Sequence, residues 1–287
     1  MSAMIRPRLL RHGDKVAVLA TSGPVNPEKL AFGVDVIKDM GFAPYVMESC
    51  FLRHDYLAGT DDVRLRDLHI AFAAPDVRGI FVARGGYGAG RLLPFLDYEM
   101  IRCNPKVFLG YSDVTALHIA ITQHCGFVTF HGPMVAVDFG HCDITMKSLI
   151  GAICGRQVAF PTKQTFTVVP GYAYAPLMGG NLSLLAASLG TPFEIDTRGR
   201  ILFIEEVGED PYRIDRMLLQ LKQAGKLADA TGILLGDFSP QTLETLHIAI
   251  DELIIPEGKP TLARFPSGHC LPNITLPMGL PFELNAV

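Results

Sequence analysis

A lone serine stands where an apolar run breaks. In KVFLGYSDVTALHIAI, residues 106–121, Gly110-Tyr111-Ser112-Asp113 interrupts a β-rich segment, and the apolar pattern then resumes with a helical period. A buried strand, a small residue two before the serine and a helix one or two residues after it form a strand-turn-helix corner. Such a corner lifts a hydroxyl above the end of a sheet and aims the first helical N–H groups at whatever it attacks. The match to a G-x-S-x-G nucleophile turn is partial, because Val114 holds the last position. Ser112 or Asp113 would equally serve as a plain helix cap.

Three further segments carry residue types that do chemistry. VARGGYGAGRLL, residues 82–93, is a second strand-to-helix turn whose glycines let backbone N–H groups approach a ligand. It does not fit a dinucleotide fingerprint, since Gly86-x-Gly88 is followed by Gly90 and not by a glycine at 91, and no Lys-Ser/Thr follows to make a phosphate loop. What remains is an oxyanion-hole donor or carboxylate clamp, with Arg84 or Arg91 nearby, or a packing turn. ILFIEEVGEDPYRIDRML, residues 201–218, ends a β-run in two carboxylates. Alternation puts Glu205 and Glu206 on opposite faces, so only one faces a given cleft; a solvated strand end is the simpler reading for both. RFPSGHCLPNITLPMG, residues 264–279, presents His269 in a Gly/Pro-rich loop, and His131 in FHGPM is its competitor as a base.

The elements that must position these residues follow from period and punctuation. Strands are predicted at Lys15–Ala20, Pro44–Met47, Gly79–Ala83, Val107–Tyr111 and Phe127–His131. Helices are predicted from the Asn26-Pro27 cap to Met40, after Thr60, over Gly90–Cys103 despite Pro94, and over Val114–His124. Such alternation with short connections predicts a parallel sheet covered on both faces, with ligands at the carboxyl ends of its strands. The period is lost between about 155 and 175, which reads as a linker or antiparallel stretch and as the domain boundary. Beyond it come helices at Asn181–Leu189, Pro211–Ala224 and Thr242–Leu253, strands at Ile201–Glu205 and Gly232–Gly236, and short Pro-rich strands.

Composition bounds the rest. The chain has 287 residues, 49% hydrophobic and 19% charged, with 28 Gly and 20 Pro, as a globular protein of two domains would. A net charge of −4 and the lack of any Lys/Arg block argue against nucleic acid as a partner. No apolar stretch reaches the ~20 residues that span a bilayer, and the N-terminal apolar segment is too short for a signal sequence, so no membrane partner and a cytoplasmic location are expected. Six cysteines at irregular spacings, without CxxC, read as reduced thiols, and no metal site is expected from the His-Cys pairs at 124–125, 141–142 and 269–270.

Taken together, RGGYGAGRLL, GYSDVTAL, FHGPM, MGGNLS, FIEEVGEDPYRIDRML, GILLGDF and SGHCLPNITLPMG occur in an order and spacing that resembles the LD-carboxypeptidase family, the muramoyltetrapeptide carboxypeptidases of peptidoglycan recycling, over essentially the whole chain. The resemblance implies an α/β fold with an N-terminal Rossmann-like domain similar to the glutamine-amidotransferase one (1–160), a linker (161–175) and a smaller C-terminal α/β domain (176–287). It also implies a serine triad of Ser112, Glu205 and His269, an oxyanion hole from the backbone N–H groups of Gly86 and Asp113, and Arg84 or Arg91 for the substrate carboxylate. The implied reaction is hydrolysis, through an acyl-enzyme and without cofactor or metal, of the bond between the third residue (meso-diaminopimelate or L-Lys) and terminal D-Ala of a murein tetrapeptide or muropeptide. A homodimer is expected with it. Two features depart from the family pattern. The residue after the triad glutamate is usually Asp and here is Glu206, and the chain has no tryptophan, whereas relatives that confer self-immunity to microcin C stack an aromatic residue on an adenine. A microcin-immunity-like amidase acting on acyl-sulfamoyl adenylates, and a non-catalytic small-ligand-binding module, are the alternatives.

Overall fold

Runs in which every residue is apolar, such as VFLG at 107–110 and GILL at 232–235, require cover on both faces of a sheet, and both become fully buried strands. The computed structural model describes residues 4–155 and 165–287 and divides them into two units: 4–155 with Ile274–Pro277, and 165–273 with Met278–Val287.

In the first unit, β1 (Lys15–Leu19), β2 (Ala43–Val46), β3 (Val77–Val82), β4 (Val107–Gly110) and β5 (Thr129–His131) run parallel in the order β5-β4-β3-β1-β2, and the late strand Leu276–Met278 lies beside β5. The chain reverses its winding between β1 and β3, which in open parallel sheets marks the crevice where ligands bind. Helix α1 (Pro27–Asp39) starts as its sequence dictates: Asn26 accepts from the Lys29 N–H at 3.0 Å, and Pro27 occupies the first turn. Helix α2 (Asp61–Ala73) is capped by Thr60 and packs on β1 and β3.

Several expected elements are shorter or differently divided. The helix predicted over 90–103 is a 3₁₀ segment at Ala89–Phe95 followed by α3 (Tyr98–Cys103), because Pro94 supplies no N–H and Asp97 caps a new start. The helix predicted over 114–124 is α4 (Thr115–Ala120), widening into a π turn at Ile121–Cys125 that ends at Gly126 in the left-handed region. Helix α5 (Asp143–Cys154) was not anticipated at all.

The second unit is a mixed sheet of β6 (Phe166–Val169), β7 (Gly171–Asn181), β8 (Ile201–Glu205), β9 (Gly232–Leu235), β10 (Thr261–Ala263) and β12 (Pro281–Ala286), the label β11 going to Leu276–Met278 of the first sheet. Strands β7-β8-β9-β10 are parallel, with β12 and β6 antiparallel at the two edges. The stretch read as a linker or antiparallel segment, with a linker set at 161–175, is antiparallel strand where it is described, so the linker is corrected and the antiparallel alternative stands. Residues 161–164 lie outside the described residues, but 166–169 and 171–175 are strand. Tyr172 and Tyr174 face solvent while Ala173 and Ala175 are buried, the two-residue period that β7 uses against β12. Helices α6 (Leu182–Ser188) and α7 (Pro211–Gln223) pack on one another. The predicted helix at 242–253 is reduced to one α turn at His247–Ala249 and a π turn at Ile250–Ile254.

Candidate active site

Ser112 stands two residues beyond the end of the buried strand β4, after Tyr111. Its backbone adopts φ = +63°, a left-handed conformation that costs a non-glycine residue on the order of 1 kcal/mol or more and clusters at functional sites. The corner is tight: a Cβ at Gly110 would lie 3.0 Å from Val114 and 3.2 Å from Val82. Neither Ser112 nor Asp113 caps a helix, since no side-chain cap bond exists at the 3₁₀ turn or at α4. The buried Asp113 carboxylate instead accepts from Ser22 Oγ at 2.6 Å and from the Ala89 N–H at 2.7 Å. Burial pushes its pKa up, and these hydrogen bonds oppose the rise.

The glycine turn after β3 lies against this corner. A Cβ on Gly85 would stand 3.0 Å from Ser112 Cβ, 3.2 Å from its Oγ and 3.6 Å from the Asp113 nitrogen, so a side chain there would crowd Ser112. Gly86, solvent-exposed, has φ = +119°, and the Gly23 N–H donates to the Gly85 carbonyl at 3.1 Å, tying the turn after β1 to the turn after β3. The two arginines differ. Arg91 is held by Asp61, with Nε–O at 2.9 Å and Nη2–O at 2.7 Å, so its charge is already compensated. Arg84 donates to the Pro24 carbonyl at 3.0 Å and flanks Gly23 and Gly86; among the described residues no carboxylate pairs with it.

In the second unit, β8 delivers Glu205 fully buried at its carboxyl end, where Oε2 lies 2.7 Å from His269 Nδ1. A carboxylate only accepts, so Nδ1 carries the proton and Nε2 is left as the basic nitrogen. Burial raises the pKa of Glu205, and the hydrogen bond from His269 draws it back. Two glycines permit the approach. A Cβ on Gly268 (φ = +118°) would meet Glu205 Oε2 at 2.8 Å, and one on Gly236 would meet the Ser267 carbonyl at 2.6 Å and Glu205 Cβ at 3.1 Å. The loop carrying His269 is pinned by Phe265 N–H to Leu235 O, Asp237 N–H to Ser267 O and Gly268 N–H to Asn273 Oδ1.

Glu206 faces the other way and is consumed there. It accepts from Asn181 Nδ2 at 2.9 Å, Ser183 N–H at 2.8 Å, Ser183 Oγ at 2.6 Å and Val207 N–H at 2.8 Å. Asn181 and Ser183, both in the MGGNLS block, were given no role from sequence; the cap position of Asn181 was the available signal. His131, the competing base, is completely buried, with its ring against Tyr111 and His118. None of the six cysteines is in a disulfide, and among the described residues no group of three His, Cys, Asp or Glu side chains is arranged to hold a metal. No helix of the described residues is long and apolar enough to cross a membrane.

Comparison with known proteins covers nearly the whole chain. Family models of the LD-carboxypeptidase N-terminal and C-terminal domains match residues 16–132 and 174–284. A probable murein peptide carboxypeptidase of Bacillus subtilis (strain 168) is 44% identical over 294 residues, spanning 98% of this chain and 91% of its own. Among solved structures, a muramoyltetrapeptide carboxypeptidase from Oxalobacter formigenes shares 31% identity with a TM-score of 0.82, over 94% of each chain. The microcin C7 self-immunity protein MccF in complex with aspartyl sulfamoyl adenosine shares 26% with a TM-score of 0.88, over 98% of this chain and 95% of its own.

Proposed function

The chain belongs to the LD-carboxypeptidase family and is a serine-type carboxypeptidase, and from that premise we propose that it removes the terminal D-Ala of murein tetrapeptides by cleaving the L,D-amide bond after meso-diaminopimelate or L-Lys. Ser112 is the nucleophile in this reading, His269 its general base, and Glu205 the carboxylate that fixes the tautomer of the base. The observation that carries it is the 2.7 Å hydrogen bond between His269 Nδ1 and the buried Glu205 carboxylate, which puts the ring proton on Nδ1 and makes Nε2 the basic nitrogen.

The reaction runs in two halves. His269 takes the Ser112 proton as Oγ attacks the amide carbon, and the developing oxyanion accepts from the N–H groups of Gly86 and Asp113, whose preorganisation is worth roughly 3 kcal/mol per donor. Imidazolium, stabilised by Glu205, then protonates the departing D-Ala amine. Water, activated by the same histidine, releases the tripeptide from the acyl-enzyme. A carboxypeptidase must also neutralise the substrate's terminal carboxylate. Arg84 is the better candidate, because Arg91 already serves Asp61.

A second reading, an amidase acting on acyl-sulfamoyl adenylates, draws on the likeness to MccF. The chain has no tryptophan to stack on an adenine, which favours the murein reading, and a stacking role would fall to one of its 8 Tyr or 17 Phe. Mass-spectrometric product analysis on both substrates decides. The proposal expects a defined tetrapeptide to yield tripeptide and D-Ala while an aspartyl sulfamoyl adenosine stays intact, and the reverse pattern would overturn it.

A further inference from the structure

Arg64 is the largest fully buried side chain among the described residues, yet it carries a guanidinium. A buried charge of this kind depends on the partners fixed around it, and here they are gathered on the two terminal nitrogens, since Nε has none among the described residues. Arg64 projects from the first turn of α2, where Nη2 pairs with Asp61 and Nη1 donates to two backbone carbonyls, those of Thr21 and of Gly88, the latter at 3.0 Å. At Gly88, whose φ of +135° disfavours any side chain, a Cβ would lie 2.7 Å from Nη1 and would have to displace it.

Both carbonyls belong to turns that flank the reacting groups. Thr21 leads into Ser22, whose hydroxyl donates to Asp113, and into Gly23, whose N–H donates to Gly85. Gly88 lies two residues after Gly86 and leads into Ala89, whose N–H donates to the same Asp113 oxygen. The hydrogen bonds thus close a ring from Arg64 through the turn after β1, through Asp113, and back through the turn after β3. We propose that Arg64 is a positioning residue for the oxyanion hole, clamping these two turns so that the N–H groups of Gly86 and Asp113 stay aimed at the developing oxyanion. It touches no substrate. Its planar fork, bonded to two carbonyls and a carboxylate at once, is what a lysine cannot reproduce.

The inference rests on the reading of Ser112 as nucleophile and of Gly86 and Asp113 as donors. Its test is steady-state kinetics of Arg64→Lys and Asp61→Asn on a defined murein tetrapeptide, with Ser112→Ala in the same assay and thermal unfolding of each variant. For folded Arg64→Lys, kcat should fall roughly a hundredfold, on the order of one lost oxyanion donor, with KM within threefold of wild type. Asp61→Asn, at a half-exposed position, should lower kcat severalfold in the same pattern. If Arg64→Lys does not fold, Asp61→Asn decides alone. Unchanged kcat in a folded variant, or a loss confined to KM, overturns the role of Arg64. Turnover that survives in Ser112→Ala overturns the nucleophile reading instead, so the two failures are distinct.

Discussion

Consecutive residues on a strand face opposite sides, and at the end of β8 that alternation separates two carboxylates with different partners. Glu205 meets His269, while Glu206 is satisfied by four donors from Asn181, Ser183 and Val207. Glu205→Gln keeps the shape and removes the charge that, in the proposed mechanism, orients the base and stabilises its imidazolium, so kcat should fall roughly a thousandfold or more. Glu206→Gln should leave the rate within a fewfold but lower stability by about 1–3 kcal/mol, because an amide turns a donor toward N–H groups that need an acceptor. Steady-state kinetics and urea unfolding of both variants check this, and the opposite pattern of rates would move the triad carboxylate by one residue. The residue types were legible because few side chains perform this chemistry. The preference for Glu205 came from family position, since Asn181 and Ser183, which hold Glu206, lie 25 and 23 residues upstream.

At the scale of elements, the placement of His269 is the work of glycine. A Cβ at Gly268 would press on Glu205 from a backbone conformation unfavourable to any L side chain. Gly268→Ala should therefore lower both the thermal midpoint and kcat, the latter by about a hundredfold if the imidazole moves by about an ångström. A near-wild-type rate would show that the loop tolerates the side chain and that the glycine is incidental. The strands β1, β3, β4, β8 and β9 were readable within one or two residues, because each is a short apolar run bounded by turn residues. Helix α5 was missed, and the end of α4 was misread, for a different reason. The apolar pattern of Val114–His124 is continuous, and nothing in it signals the π turn that begins at Ile121. The stretch 166–175 looked like a linker because its strands are half-exposed and sit at or next to a sheet edge, where the buried residues are only alanines.

At the scale of the whole molecule, buried titratable groups tie stability to pH. His118 on α4 is fully buried, with Nε2 hydrogen-bonded to the Gly110 carbonyl at 2.8 Å, and burial pushes its pKa down to about 4. The unfolded chain, with an ordinary histidine near 6.5, binds the proton more readily. The neutral ring therefore contributes stability that is complete above about pH 6.5 and is lost as pH falls toward 4, about 3 kcal/mol over that window. Urea unfolding between pH 7 and 4 should show the loss, and His118→Gln, which keeps a donor for Gly110, should lack this part of the slope; identical slopes would remove His118 as the cause. Overall α/β architecture was legible from alternation of strand and helix periods, whereas the return of Ile274–Pro277 to the first unit was not, since a late segment carries no local mark of the unit it joins. The central claim, that Ser112 is an activated nucleophile, is tested most directly by peptide mapping after reaction with an alkyl fluorophosphonate. The account expects one adduct, on the peptide containing Ser112, formed much more slowly in Glu205→Gln and absent in Ser112→Ala. An unlabelled protein, or an adduct on another residue, would contradict it.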